Sequence, residues 1–232
     1  MSARLRAVVF DLDGTLIDGY DGIHEALTFA LERMGFPAPD RARVREMVGH
    51  GLESLLAQAA GADRAAEGVR LFRDHYPDVV VSGSRLLPGA ADALDRLASN
   101  GYALALASNK PPRFSRMILE AKGIASMFAA VAGPDDAHPP KPDPAMLRPL
   151  FAAMGASPAE TVCVGDMEVD VQFARAGGCR AVVLPTGSRS ESYLRGAGAD
   201  ALIRELAELP ETLARLDRAA GAGGERAIDS RV

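Results

Sequence analysis

The chain holds 232 residues, 48% of them hydrophobic and 25% charged, with a formal net charge of -5. That profile belongs to a globular protein with a sizeable core, large enough for one domain carrying an inserted module. The mildly acidic balance without a basic tract argues against nucleic acid or an anionic membrane as partner, and no apolar run approaches the roughly 18 residues of a membrane span.

Met1 to Arg6 leads straight into an apolar run, so no signal peptide is expected. Cys163 and Cys179 both sit in apolar contexts and read as buried thiols of a reducing compartment. A cytoplasmic location is the expectation. Lys110, Lys122 and Lys141 are the only lysines, and two of them lie where an anion would be held.

In chain order, Ala7-Val8-Val9-Phe10 is apolar and uncharged, the pattern of a strand buried on both faces. Asp11-Leu12-Asp13-Gly14-Thr15 ends it, placing two carboxylates where a parallel strand stops. Such groups are costly to bury unless paired or metal-bound. From Asp21 to Val80 the apolar spacing is helical. Ile23, Leu27, Ala30, Leu31 and Met34 repeat at three and four, and Gly35-Phe36-Pro37 stops that helix. Arg41–Val48, Leu52–Ala60 and Ala65–Tyr76 follow, the last ended by Pro77, which makes a small all-α module.

Leu86-Leu87-Pro88-Gly89 marks the return to alternating elements. Helices are expected at Ala90–Ser99, Phe114–Lys122, Ala145–Met154, Val169–Ala176 and Arg204–Leu216. Strands are expected at Tyr102–Ala107, Phe128–Ala132, Thr161–Val164, Arg180–Leu184 and Ala201–Ile203. The expected class is α/β, a Rossmann-like parallel sheet with helices on both faces and an inserted four-helix cap. Residues 1–16 and 86–220 would form the core, 17–85 the cap, and 221–232, with Gly221-Ala222-Gly223-Gly224, a disordered tail.

Right-handed crossovers put the polar strand ends on one edge of such a sheet. Asp11, Asp13, Ser108, Asn109, Lys141 and Asp166 then meet. Four acidic groups together, Asp11, Asp13, Asp166 and Asp170, repel one another, and a hard divalent cation such as Mg²⁺ relieves that. Lys141 and Ser108 offer an anion cradle opposite. A cation, a cradle and an available aspartate together suit phosphoryl transfer.

Asp11-Leu12-Asp13-Gly14-Thr15, Ser108-Asn109, Lys141-Pro142 and Gly165-Asp166-Met167-Glu168-Val169-Asp170 resemble the four ordered motifs of the haloacid-dehalogenase-like hydrolases. The helical insert resembles that superfamily's cap, and the likeness runs from Leu5 to Leu216. It implies attack by Asp11 on phosphorus, giving an aspartyl-phosphate, with Asp13 protonating the leaving alcohol and then activating water. It further implies that Ser108 and Asn109 bind phosphate, with Thr15 supporting the loop there, and that Lys141 neutralises charge. Asp11, the Asp13 carbonyl and Asp166 would ligate Mg²⁺, with Asp170 positioning the metal or its waters.

Asn109-Lys110-Pro111 and Val48-Gly49-His50-Gly51-Leu52 resemble the phosphoglycolate phosphatases of that group, with Arg45 or His50 near the far end of the substrate. The implied substrate is a small phosphomonoester such as 2-phosphoglycolate, acted on by a monomer or homodimer. Asp13 argues against a dehalogenase. The lysine-free stretch Leu16 to Ala107 closes a Schiff-base route through the cap. A sugar-phosphate mutase and a silent binding protein on the same fold stay open.

The blander readings stand beside these. Ser108-Asn109 can cap the next helix, Asp170 and Glu168 can be charges at a helix N-terminus, and the cap arginines can be a solvated face. Met167 stands where serine or threonine is common in the family, so altered bonding around Asp166 is expected there.

Overall fold

A computed structural model describes residues 4–134 and 138–225. Strand β1 (Ala7–Phe10) is buried along its whole length, as its unbroken apolar run requires. The chain then makes a two-residue strand, β2 (Ile17–Asp18), and enters four consecutive helices. These are α1 (Tyr20–Arg33), α2 (Arg41–Met47), α3 (Leu52–Ala60) and α4 (Ala62–Val79). It returns through β3 (Arg85–Leu86), which pairs antiparallel with β2, Ile17 opposite Leu86 and Asp18 opposite Arg85.

Alternating elements follow: α5 (Ala90–Ser99), β4 (Ala103–Ala107), α6 (Pro112–Ala121), β5 (Phe128–Ala132), α7 (Leu147–Met154) and β6 (Thr161–Gly165). Then come α8 (Glu168–Ala176), β7 (Arg180–Val183), α9 (Glu191–Arg195), β8 (Ala201–Leu202) and α10 (Leu209–Glu225). Six strands form one sheet in the order β5-β4-β1-β6-β7-β8, and each neighbouring pair is parallel. The pleat sorts the side chains. Val8, Phe10, Leu104 and Val162 face a core shared with α5, α6 and α10, while Val9, Ala105, Cys163 and Val183 face α7, α8 and α9.

Strand β1 is the switch point. The chain leaves it to build β4 and β5 on one side, then crosses to build β6, β7 and β8 on the other. Crossovers diverging from one strand open a crevice at its carboxyl end, where open α/β sheets bind ligands. The helical insert leaves the sheet from that same end.

The insert packs α1 and α3 against α4, burying Ile23, Leu27, Leu31, Leu56 and Phe72. Its apolar residues are continuous with the core on the α5 and α6 side of the sheet. Helix α4 does not stop before Pro77 as expected. Pro77 lies in its last turns, and buried Tyr76, Val79 and Val80 hold the helix to Val79. The proline still forfeits one ladder bond and crowds the carbonyl of the preceding turn, a cost offset by burial of the side chains around it.

Three further differences concern short or terminal segments. The β2–β3 ribbon is too brief to show periodicity, and so is α9, which Ser190 caps by accepting from Tyr193 N at 3.2 Å. Helix α10 runs on to Glu225, through the Gly221-Ala222-Gly223-Gly224 stretch expected to be a disordered tail. Extending an existing helix by a residue costs far less than nucleating one. Residues 226–232, the remainder of that expected tail, lie outside the described residues, as do 1–3.

Candidate active site

Asp11 stands one residue beyond β1, and its N–H still donates to the Val164 carbonyl of β6 at 2.9 Å. Leu12 turns into the core, so Asp11 and Asp13 both line a cavity at the strand ends. Gly14, at φ +80°, reverses the chain, and its N–H donates to the Ile17 carbonyl at 2.8 Å. The end of β4 contributes Ser108, Asn109 and Lys110, the loop after β5 contributes Lys141, and the end of β6 contributes Asp166. The convergence expected from the sequence is complete for these residues. The cavity measures about 740 Å³ counting its open mouth.

Lys141 Nζ bridges two carboxylates, 2.9 Å from Asp11 Oδ1 and 2.8 Å from Asp170 Oδ1. Its backbone is pinned as well, because Lys141 N donates to Asn109 Oδ1 at 2.7 Å. Asn109 Nδ2 donates to the Gly49 carbonyl of the insert at 2.9 Å. The Asn109 amide therefore ties together β4, the lysine loop and the insert, with its polar atoms engaged on backbone. Ser108 is buried, and its Oγ accepts from Lys110 N at 3.2 Å, stiffening the loop at the cavity floor.

Burial pushes the Asp11 carboxyl up to about 7 against the opposing pull of Lys141, with Asp170 and Asp13 adding repulsion. Burial and the Asp170 and Asp11 charges likewise hold Asp166 far above the ordinary carboxylate range. Burial also works against the Lys141 ammonium, but Asp11 and Asp170 outweigh it and raise the group. The site as it stands is short of positive charge.

That shortage predicts a pH dependence. A carboxyl that titrates near 3.8 unfolded and about 7 folded keeps its proton longer in the folded state. Between those values the folded protein binds more protons, so stability falls as pH rises and the penalty is complete above the folded value. Melting in chelator should drop from about pH 5 to about pH 8, and a divalent cation should restore more at the upper end.

The residues fit such a cation. Asp166 Oδ2 is buried without a hydrogen-bond partner, while Thr15 Oγ1 donates to its Oδ1 at 3.3 Å. A Cβ built on Gly14 would lie 2.6 Å from Asp166 Oδ2, and one on Gly187 only 1.6 Å away. Two glycines thus keep space around a buried carboxyl oxygen that lacks a partner. Asp11 and Asp166 are the carboxylates suited to ligate the ion. The other two aspartates expected near it are otherwise engaged. Asp170 gives one oxygen to Lys141 and the other to Met167 N at 3.1 Å, and Asp13 is paired with a lysine. Among the described residues, no three His, Cys, Asp or Glu side chains are already gathered as a ligand cage.

Thr15, grouped from sequence with the phosphate binders, does not line the cavity. The Gly14 turn sends it inside to support Asp166. Arg45 and His50 do not line it either. Arg45 reaches across to the core and donates to the carbonyls of Thr186 and Gly187, both at 2.7 Å. His50 is exposed, and the backbone of its neighbours Gly49 and Gly51 forms the rim instead. Of the other cap arginines, Arg41 pairs with Asp18 and Asp21, and Arg43 with Glu46 at the surface. Glu168 serves the helix start and is paired with Arg189 at 2.9 Å.

Two more residues stand on the wall: Lys110, at a strand end where the sequence expects an anion to be held, and Tyr76, to which the sequence gives no role. Lys110 Nζ lies 2.8 Å from Asp13 Oδ2 and 2.5 Å from the Tyr76 hydroxyl. Lys110 carries a signal, since it directly follows the Ser108-Asn109 strand end. Tyr76 carries none, because only the docking of α4 brings it there. Met167 is buried, and its sulfur packs where a Cβ on Gly49 would sit. The side chain that departs from the family pattern thus makes an apolar contact between core and insert.

A parallel sheet with an aspartate beyond its first strand, a lysine on that aspartate and a helical insert over both defines an α/β enzyme of the phosphoryl-transfer type. The family model described as haloacid dehalogenase-like hydrolase matches residues 8–184. The chain belongs to that family. It is 35% identical over 212 residues to a phosphoglycolate phosphatase of Yersinia pseudotuberculosis, covering 88% of this chain and 91% of the relative. It is 36% identical over 219 residues to one of Rhodospirillum rubrum, covering 90% of each. A crystal structure of a predicted phosphoglycolate phosphatase from Haemophilus somnus superposes with a TM-score of 0.82 at 26% identity, covering 91% of this chain and 99% of that one.

Proposed function

We propose that this chain is a Mg²⁺-dependent phosphatase that hydrolyses a small phosphomonoester such as 2-phosphoglycolate through an aspartyl-phosphate on Asp11. The carrying observation is the Lys141 ammonium 2.9 Å from Asp11 Oδ1, in one cavity with the unpartnered Asp166 Oδ2. The relatives at 35% and 36% identity support the choice of substrate. Residues 17–85 are taken as the cap and the rest of the described chain as the core. No helix among the described residues is long and apolar enough to cross a membrane. The two buried, unbridged thiols, Cys163 and Cys179, fit a cytoplasmic enzyme.

An anionic carboxylate approaches an anionic phosphate poorly unless positive charge stands between them. Lys141 supplies one such charge, and Mg²⁺ on Asp11 and Asp166 would supply the Lewis acidity that the acidic cavity lacks. Asp11 forms its bond to phosphorus as the ester P–O bond breaks, and Asp13 delivers a proton to the departing alkoxide. Water then attacks the aspartyl-phosphate and gives its proton to Asp13, which returns Asp11 and releases phosphate. Ser108 borders the space where the phosphoryl oxygens would lie. Ile23, Leu52, Leu55 and Phe72 of the cap close the cavity with apolar surface, which keeps other water out.

The test is a Mg²⁺-dependent phosphate-release screen over phosphoglycolate, β-glucose 1-phosphate, nucleoside monophosphates and pyrophosphate, with Asp11→Asn as the blank. Fast release from phosphoglycolate, absent in the blank, is the expected result. Silence on every ester while Mg²⁺ still binds would overturn the reading.

Gly187→Ala gives a second check, on the metal side. Its Cβ would displace the Asp166 carboxylate, so Mg²⁺ affinity should fall roughly 10- to 100-fold, the usual cost of disturbing a ligand's support. The variant should melt near the unaltered protein in chelator but gain less from Mg²⁺. An equal gain in both proteins would remove Asp166 from the metal site.

A further inference from the structure

Among the described residues, two ammonium groups stand on the cavity wall. Lys141 is committed to the nucleophile side, between Asp11 and Asp170. Lys110 is on the leaving-group side. It is 7% exposed, and its Nζ lies 3.0 and 2.8 Å from the two oxygens of Asp13. The Tyr76 hydroxyl accepts a third bond from the same ammonium at 2.5 Å, and the ring centroid is 5.1 Å away. Tyr76 is fixed in turn, edge-on to Phe114 and tilted on Phe72.

The surface facing Lys110 from the cap has no charge of its own. Ile23, Leu52, Leu55 and Phe72 are apolar, and Gly49 and Gly51 contribute only backbone. Arg45, expected with His50 as the alternative near the far end of the substrate, is turned away onto Thr186 and Gly187. A second anionic group on the alcohol half of a substrate therefore meets Lys110, the one cation of the described cavity wall not held by the nucleophile.

We infer that Lys110, held in place by the Tyr76 hydroxyl, is the specificity residue for a carboxylate on the alcohol half of the phosphomonoester. On binding, the ammonium exchanges the Asp13 carboxylate for that of the substrate and keeps its bond to Tyr76. This deepens the phosphatase reading and rests on it. The discrimination has a physical source. An ammonium has three donors, and here one is fixed by Tyr76 while two are available to a single carboxylate. Against a largely apolar wall such charge-assisted bonds are strong, and a substrate without the carboxylate forgoes them.

Binding of two stable phosphonates in the presence of Mg²⁺ tests this without turnover. 3-Phosphonopropionate carries the carboxylate, and propylphosphonate has a methyl group in its place. The unaltered enzyme should prefer the carboxylate probe roughly 10- to 100-fold, and Lys110→Met should abolish most of that preference. Tyr76→Phe keeps the buried ring and removes only the hydroxyl, so it serves if Lys110→Met folds poorly. It should reduce the preference by roughly threefold to tenfold.

An unaltered enzyme with no preference would overturn the inference. So would variants that weaken both probes equally. Neither result bears on phosphate release in the ester screen, which judges the phosphatase reading separately.

Discussion

Asp11→Asn should release phosphate from phosphomonoesters at least about 10⁴-fold more slowly than the unaltered enzyme, because an amide oxygen cannot form the covalent intermediate. The variant should fold normally. Asparagine has the shape of aspartate, and Lys141 keeps Asp170 as a partner at 2.8 Å. Removal of a buried carboxyl whose proton affinity is raised to about 7 also removes a penalty that grows with pH. Above neutrality and without Mg²⁺, Asp11→Asn should therefore melt at or above the temperature of the unaltered protein. The pair of measurements separates chemistry from structure. An inactive variant with an unchanged or higher melting point that still binds Mg²⁺ identifies the nucleophile. Retained phosphate release would remove Asp11 from that role, and an inactive variant that melts early would leave the loss to misfolding.

The parts of this site that are legible in the sequence are those the sheet itself arranges. Strand β1 stands out because an uncharged apolar run that stops at two aspartates fits a buried strand opening onto a polar site and little else. Ser108 and Asp166 follow by the same logic, each standing at the end of a predicted parallel strand. Lys141 is in a loop with no periodicity, and only its order among the motifs singles it out. Burial then shows why it is needed, since it is the cation within hydrogen-bond distance of both Asp11 and Asp170.

The parts that are not legible depend on how the cap docks. Arg45 precedes the Gly49 to Gly51 turn and His50 lies within it, yet neither side chain reaches the cavity. A linear pattern places residues on a helix or turn but not the direction in which a long side chain extends. The Arg45 guanidinium finds two backbone carbonyls on the core before it finds the cavity. Tyr76 shows the converse. It reads as one apolar residue near a helix-ending proline, but α4 runs on past it and sets its hydroxyl on Lys110. The β2–β3 ribbon joining the two parts is invisible in the pattern because two residues carry no alternation.

Lys141→Met should be the single change at this site that costs the most stability. The Lys141 side chain is 3% exposed, and its removal strands Asp11 and Asp170 together in a buried place. Leaving a buried charge without its partner costs about 3–5 kcal/mol, more than loss of the packing of a flexible chain that methionine largely replaces. The lost stability should return in part as pH falls, because protonation of Asp11 ends the repulsion that the lysine had offset. The double change Lys141→Met with Asp170→Asn should recover much of it at neutral pH, since the two sites share one network. Activity should return in neither condition. The ammonium is also needed beside the phosphoryl group, and its loss should slow phosphate release about 10³-fold or more. Melting curves of the single and double variants across pH, set beside their phosphate release with Mg²⁺, decide the matter. A single variant that melts like the unaltered protein would mean that Lys141 is not the counter-ion of Asp11. A double variant that regains activity along with stability would confine Lys141 to a structural part.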